Sequence, residues 1–117
     1  MLINLKKVHK AGFIYNDLKP DNILLDYKKD PSLNSINLVD FGFVSKYLKG
    51  GKHIAVKDLN HFRGNIMYSS VHQMDFKTTS RRDDMIALLY LTVYLLNGTL
   101  PWSSIQNNNQ DPSILLE

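Results

Sequence analysis

The chain contains no cysteine, which excludes a disulfide scaffold and a thiolate metal centre. Long hydrophobic runs are also missing. The most apolar stretch, Met85 to Leu96 (MIALLYLTVYLL), has twelve residues, whereas a bilayer-spanning helix needs about 20. A strong charge of either sign is lacking too. The net charge is +3 and the pI about 9.1, too mild to argue for nucleic acid without a concentrated basic patch. Aromatic and basic residues are not interleaved as an RNA-binding surface requires. The opening residues, MLINLKKVHKAG, place lysines after the apolar positions and hold no long apolar core, unlike a signal peptide. No internal repeat is present. These absences predict a soluble intracellular chain, cytoplasmic or nuclear, with neither nucleic acid nor membrane as partner.

What remains is enough for one domain, residues 1–117. Hydrophobic residues make up 44% and charged residues 21%, which favours a packed core over disorder. Leu2, Leu5 and Val8 have helical spacing, and Gly12 is placed to end that helix. Ile23 to Leu25 and Ile36 to Val39 are short apolar runs. The polar stretch between them carries Pro31, Asn34 and Ser35, so the pair predicts a hairpin with a surface loop. Gly42 to Asn65 shows no clear period and reads as a long loop, of the kind that is functional or mobile. Ser80 to Asn97 predicts the strongest helix: Ser80 and Asp83 form an S-x-x-D capping box, and Gly98 is the stop. Being apolar on every face, this helix is expected in the middle of a core. The sequon at Asn97 to Thr99 falls at its expected buried end and is discounted. The fold class predicted is α+β, mostly α, with a short β-hairpin and a buried central helix.

One loop concentrates the chemistry. In FIYNDLKPDNILLD, Phe13 to Asp26, the acid Asp17, the base Lys19 and the amide Asn22 lie just before a predicted strand. Asp40 follows the next strand, inside LVDFGF. Asn22 and Asp40, from adjacent strand ends, can converge on a hard cation. Magnesium takes few protein ligands when substrate phosphates supply the rest. A carboxylate and an ammonium on one loop suit phosphoryl transfer: Asp17 accepts a hydroxyl proton while Lys19 offsets phosphate charge.

YNDLKPDN and DFG resemble the catalytic loop and metal-binding triplet of eukaryotic protein kinases. SRRDDMIALLYLTVYLLNGTLPW, Ser80 to Trp102, is similar to the central helix of the kinase C-lobe in the casein kinase I group. So is GNIMYSS before it, which stands without an Ala-Pro-Glu triplet. The resemblance, running from about Leu2 to Trp102, implies a partial protein-kinase C-lobe with the N-lobe absent. It also implies ATP and Mg2+ as cofactors and protein serine/threonine hydroxyls as acceptors. It makes Asp17 the catalytic base and Lys19 the γ-phosphate contact. Asn22 and Asp40 become metal ligands, Leu24 the floor of the adenine pocket and Val39 its back. Asp84 would accept backbone N–H groups of the catalytic loop; the plainer alternative is that it favours the helix N-terminus.

Departures from the family pattern are specific. Tyr15-Asn16 stands where the family has His-Arg, so no cation is available to pair with a phosphorylated activation loop. Gly64-Asn65 replaces Gly-Thr, leaving an amide to substitute for a hydroxyl at the catalytic Asp. Asn60 and Met67 stand at positions where casein kinase I enzymes use basic residues to grip acidic substrates; Arg63, Lys57 and Lys77 are the nearby cations. No Gly-rich loop or Val-Ala-Ile-Lys strand is present. Two function classes remain: a serine/threonine kinase fragment whose isolated chain transfers negligible phosphate, and a catalytically inactive kinase-derived binding module.

Overall fold

Helix α1 spans Leu2–Lys10 and buries Leu5 while leaving Leu2 and Ile3 exposed. It ends at Ala11 and Gly12, and strand β1 (Phe13–Ile14) follows at once. The computed structural model describes residues 1–26 and 36–106. After β1 the chain enters an extended loop and a short 3-10 turn, Pro20–Asn22. Strand β2 (Ile23–Leu25) then pairs antiparallel with β3 (Ile36–Leu38), Leu24 opposite Asn37. This is the hairpin expected from the two apolar runs. Its connection, with Pro31, Asn34 and Ser35, lies outside the described residues, as does the tail from residue 107 onward.

The stretch from Gly42 to Asn65 corrects the expectation of a featureless loop. Strand β4 (Ser45–Lys46) pairs with β1, and β5 (Leu48–Lys49) pairs with β6 (Lys52–His53). Strands of two residues are too short to generate an alternating pattern, so periodicity missed them. The turn signal was nevertheless there: Gly50 and Gly51 both adopt positive φ, 59° and 76°, as a tight two-residue hairpin turn demands.

Helix α2 (Val71–Met74) is capped by Ser70, whose hydroxyl accepts from Gln73 N. Helix α3 spans Arg81–Asn97 and ends at Gly98 in the left-handed conformation. Its capping box forms as predicted, with Ser80 N donating to Asp83 Oδ2 at 2.7 Å. A final turn, α4 (Ser103–Gln106), closes the described chain.

The core cluster comprises Leu5, Tyr15, Leu18, Met67, Tyr68, Ala87, Leu91 and Leu100. Full burial of a leucine such as Leu5 or Leu91 contributes about 1.5–3 kcal/mol. Trp102 locks the end of α3 to this cluster: its indole N–H donates to Met67 O at 2.7 Å, and its ring meets Tyr90 edge-on at 4.9 Å. The expectation that α3 is buried on every face is corrected. Only Asp83, Asp84, Ala87 and Leu91 are buried, a single stripe, while Leu89, Leu95 and Leu96 are 60%, 67% and 80% exposed. The described residues supply packing partners for one side of the helix. Asn97 and Thr99 are exposed as well, so the ground for discounting the sequon, a buried helix end, does not hold.

Candidate active site

The loop between β1 and the 3-10 turn is held from α3 by one carboxylate. Asp84 is 1% exposed. Its Oδ2 accepts from Tyr15 N at 2.8 Å and its Oδ1 from Asn16 N at 2.9 Å. The His9 ring, from α1, also meets Oδ2, at 2.7 Å. A buried carboxylate needs such donors, and here it takes them from the loop backbone, the anchoring role rather than the plain helix-end one. Asp83, its neighbour, also accepts from Ser70 Oγ at 2.6 Å, tying α2 to α3.

Asp17 is equally buried, at 1%, and both its oxygens hold amides. Asn22 Nδ2 donates to Asp17 Oδ2 and to the Asp17 carbonyl, each at 2.9 Å. Asn65 Nδ2 donates to Asp17 Oδ1 at 3.2 Å and to the Leu18 carbonyl at 3.1 Å. Asn65 is itself oriented by Tyr68 N, which donates to its Oδ1 at 2.9 Å. With the Asn22 N–H groups spent on Asp17, its amide oxygen remains as an acceptor, the atom a hard cation uses.

Asp40 comes close to Asn22 through the hairpin. Ile23 pairs with Leu38, and Val39 N donates to the Asn22 carbonyl at 3.0 Å. Tyr15 joins this end of the hairpin to the loop. Its hydroxyl donates to the Val39 carbonyl. Burial pushes that hydroxyl up to about 12, reinforced by the Asp17 and Asp40 carboxylates, while the Asn22 amide acts the other way. Asp40 is exposed, its Oδ1 accepting from Gly42 N at 3.1 Å. Lys19 is half-buried and lines a 370 Å³ cavity with Pro20, Asp21, Asn65, Met67 and Tyr68. Leu24 is 53% exposed and Val39 half-buried. The structure thus brings Asp17, Asn22 and Asn65 into contact, bonds Val39 to the Asn22 backbone with Asp40 next in the chain, and leaves Leu24 on an open face.

Backbone geometry marks the same place. Among the described residues, the non-glycine positions with positive φ are Asn16, Asp40 and Phe76, and two of these flank the site. Such conformations persist where surrounding contacts over-determine them. Gly64 has φ +110, and a Cβ there would run into the Asn16 carbonyl and the Gln73 amide, so only glycine fits. Ser70, Gln73 and Thr79 were not anticipated. Ser70-x-x-Gln73 does carry a capping-box signature, but nothing in the sequence marks the 57-residue reach of Gln73 Nε2 to Asn16 O, 2.8 Å.

Comparison with known proteins decides the family: the family model for the protein kinase domain matches residues 1–117. The chain belongs to the protein kinase domain family. Within that family it is casein kinase I-like. It is 37% identical over 109 residues to a casein kinase 1-like protein of Oryza sativa subsp. japonica, covering 91% of this chain and 15% of that relative. It is 36% identical over 114 residues to casein kinase I homolog 1 of Saccharomyces cerevisiae, covering 94% and 21%. A third relative, casein kinase I homolog 1 of Schizosaccharomyces pombe, is 33% identical over 108 residues, covering 91% and 24%. The chain therefore spans a quarter or less of these curated relatives. Protein kinases as a family use ATP with a divalent metal and act on protein substrates. Among the described residues no helix is long and apolar enough to cross a membrane.

Proposed function

We propose that this chain is the C-lobe part of a serine/threonine protein kinase, and that Asp17, Lys19, Asn22 and Asp40 carry its chemistry. The observation that supports this best is the clamping of Asp17 by the Asn22 and Asn65 amides, with Val39, the residue before Asp40, bonded through its N–H to the Asn22 carbonyl. Asp17 receives the serine or threonine hydroxyl and orients it; Asn22 and Asn65 hold the carboxylate in place for that. Lys19, which lines the 370 Å³ cavity, offsets charge on the transferring group. The Asn22 amide oxygen and the Asp40 carboxylate suit magnesium, which would lend charge stabilisation to the nucleotide phosphates. Leu24, on the open face, and Val39 border the adenine. Phosphoryl transfer depends on positioning and electrostatics more than on covalent chemistry, so the chain alone, with half of a two-lobe nucleotide site, transfers negligible phosphate.

The test is a chimera in which the amino-terminal lobe of a casein kinase I precedes residue 1. With magnesium and ATP it should phosphorylate serine in an acidic protein. Asp17→Asn and Asp40→Ala should each lower the rate by about 10²- to 10⁴-fold. A folded, active chimera indifferent to both changes would overturn the site. A second reading, a catalytically inactive binding module, is favoured by Asn65, which already occupies one Asp17 oxygen. A folded chimera that binds magnesium and nucleotide but transfers nothing would establish it.

A further inference from the structure

Asn16 is a buried side chain with unusually many partners. It is 7% exposed and sits at φ 70°, a conformation asparagine tolerates better than most residues. Its backbone N donates to Asp84 Oδ1 at 2.9 Å, and its carbonyl accepts from Gln73 Nε2 at 2.8 Å. Its side-chain Nδ2 donates to the Phe43 carbonyl and to Ser45 Oγ, each at 2.8 Å. Its Oδ1 accepts from Thr79 Oγ1. One residue thereby joins the loop of Asp17, the segment following Asp40, helix α2 and the entrance to α3. Every one of its polar atoms is matched by a neutral group or by Asp84, and among the described residues no buried side-chain polar atom lacks a partner.

We infer that Asn16 is a positioning residue: a neutral clasp that holds the Phe43–Ser45 segment, and through it Asp40, in one arrangement with no phosphate added to the chain. The inference builds on the proposed kinase site, where Asp40 must stand beside Asn22, but its physical content is independent of activity. A neutral amide carries no charge to pair with an anion, and its donors and acceptor are already engaged. The cations bordering the adjoining 350 Å³ cavity, Lys46, Arg63 and Lys77, are not what holds the segment. Lys77 pairs with Asp58. Beyond the backbone pairing of β4 with β1, the side-chain bonds to residues 43–45 come from an amide.

Amide hydrogen exchange on the whole chain, made in bacteria and shown by intact mass to carry no phosphate, tests the clasp directly. Residues 44–47 should be protected in the wild type. Asn16→Gly keeps the left-handed backbone and removes the side chain; it should speed exchange at 44–47 by about ten- to a hundredfold while amides 88–95 of α3 stay as they were. Ser45→Ala and Thr79→Val each remove one arm and should give smaller, local increases, so the idea stays testable if Asn16→Gly folds poorly. The Asn16 side-chain NH₂ should appear in NMR spectra as slowly exchanging resonances that saturating inorganic phosphate does not move. Three results overturn the inference: unprotected 44–47 in the phosphate-free wild type, loss of α3 protection in step with 44–47 in the variants, or Asn16 resonances that shift on adding phosphate. Failure of the kinase reading would leave all these readouts unchanged and would show only in the chimera's phosphotransfer.

Discussion

Two regions of this molecule invert the usual distribution of polarity. Around the Tyr15–Asn22 loop the interior is polar: Asn16, Asp17, Asn22, Ser70, Gln73, Asp83 and Asp84 are all buried. On the outer side of α3 and on the β2–β3 hairpin the surface is apolar: Leu24, Leu25, Leu89, Leu95 and Leu96 are at least half exposed. Burying polar groups costs free energy unless each is hydrogen-bonded, and here each is. The buried region has therefore spent its contacts on geometry, fixing where Asp17 and Asn22 stand. The exposed apolar region has contacts left to make, as a surface that packs against something else does.

The comparison breaks most sharply at Asp84. Asp84→Ala leaves the Tyr15 and Asn16 amides buried without an acceptor and should cost about 3–5 kcal/mol, a large share of the roughly 5–15 kcal/mol expected for a domain. Chemical denaturation should show a collapsed midpoint; a loss below 1 kcal/mol would mean the polar interior is not what holds the loop. Gly64→Ala comes next. The left-handed φ and the press of Asn16 O and Gln73 Nε2 should cost about 2 kcal/mol or more, read as a lowered Tm.

A pH titration probes the same interior more gently. Tyr15 and Tyr68 are both pushed up to about 12, chiefly by burial, against about 10 for an unfolded tyrosine. Between those values the unfolded state has lost the proton while the folded state keeps it, so the tyrosines' contribution to stability should be level below pH 10 and stability should fall from pH 10 to 12. Thermal melts across that range check it, and Tyr15→Phe should flatten the slope. The smallest effect belongs to the apolar side. Leu89→Lys and Leu96→Lys should change stability by no more than about 0.5 kcal/mol yet reduce self-association in sedimentation. A stability loss as large as that of Gly64→Ala would show that the face is already covered.

How much of this was legible in the sequence depended on the range of the interaction. Helix α1 and the capping box of α3 rest on residues within a few positions of one another, and the β2–β3 hairpin pairs residues 11 to 15 apart across one turn-rich loop; local pattern revealed all three. Asp84 was readable as a loop anchor because a carboxylate at the start of an apolar helix must find donors. Strands β4 to β6 escaped because two residues carry no period, although Gly50-Gly51 marked one turn. Burial of α3 differs from the apolar pattern: twelve apolar residues record what a helix can bury, and the described residues bury Asp83, Asp84, Ala87 and Leu91 while Leu88, Tyr90, Val93 and Tyr94 are only partly covered. The partners of the Asn16 side chain, from Phe43 to Thr79, lie 27 to 63 residues away, and only the folded chain joins them.

The lone tryptophan gives the fold a built-in gauge. Trp102 is clipped to Met67 by its indole N–H and to Tyr90 by its ring, at the junction where the far end of α3 meets the core. Its intrinsic emission should track whether that junction is closed, so the docking of the long helix can be followed in real time without attaching a dye.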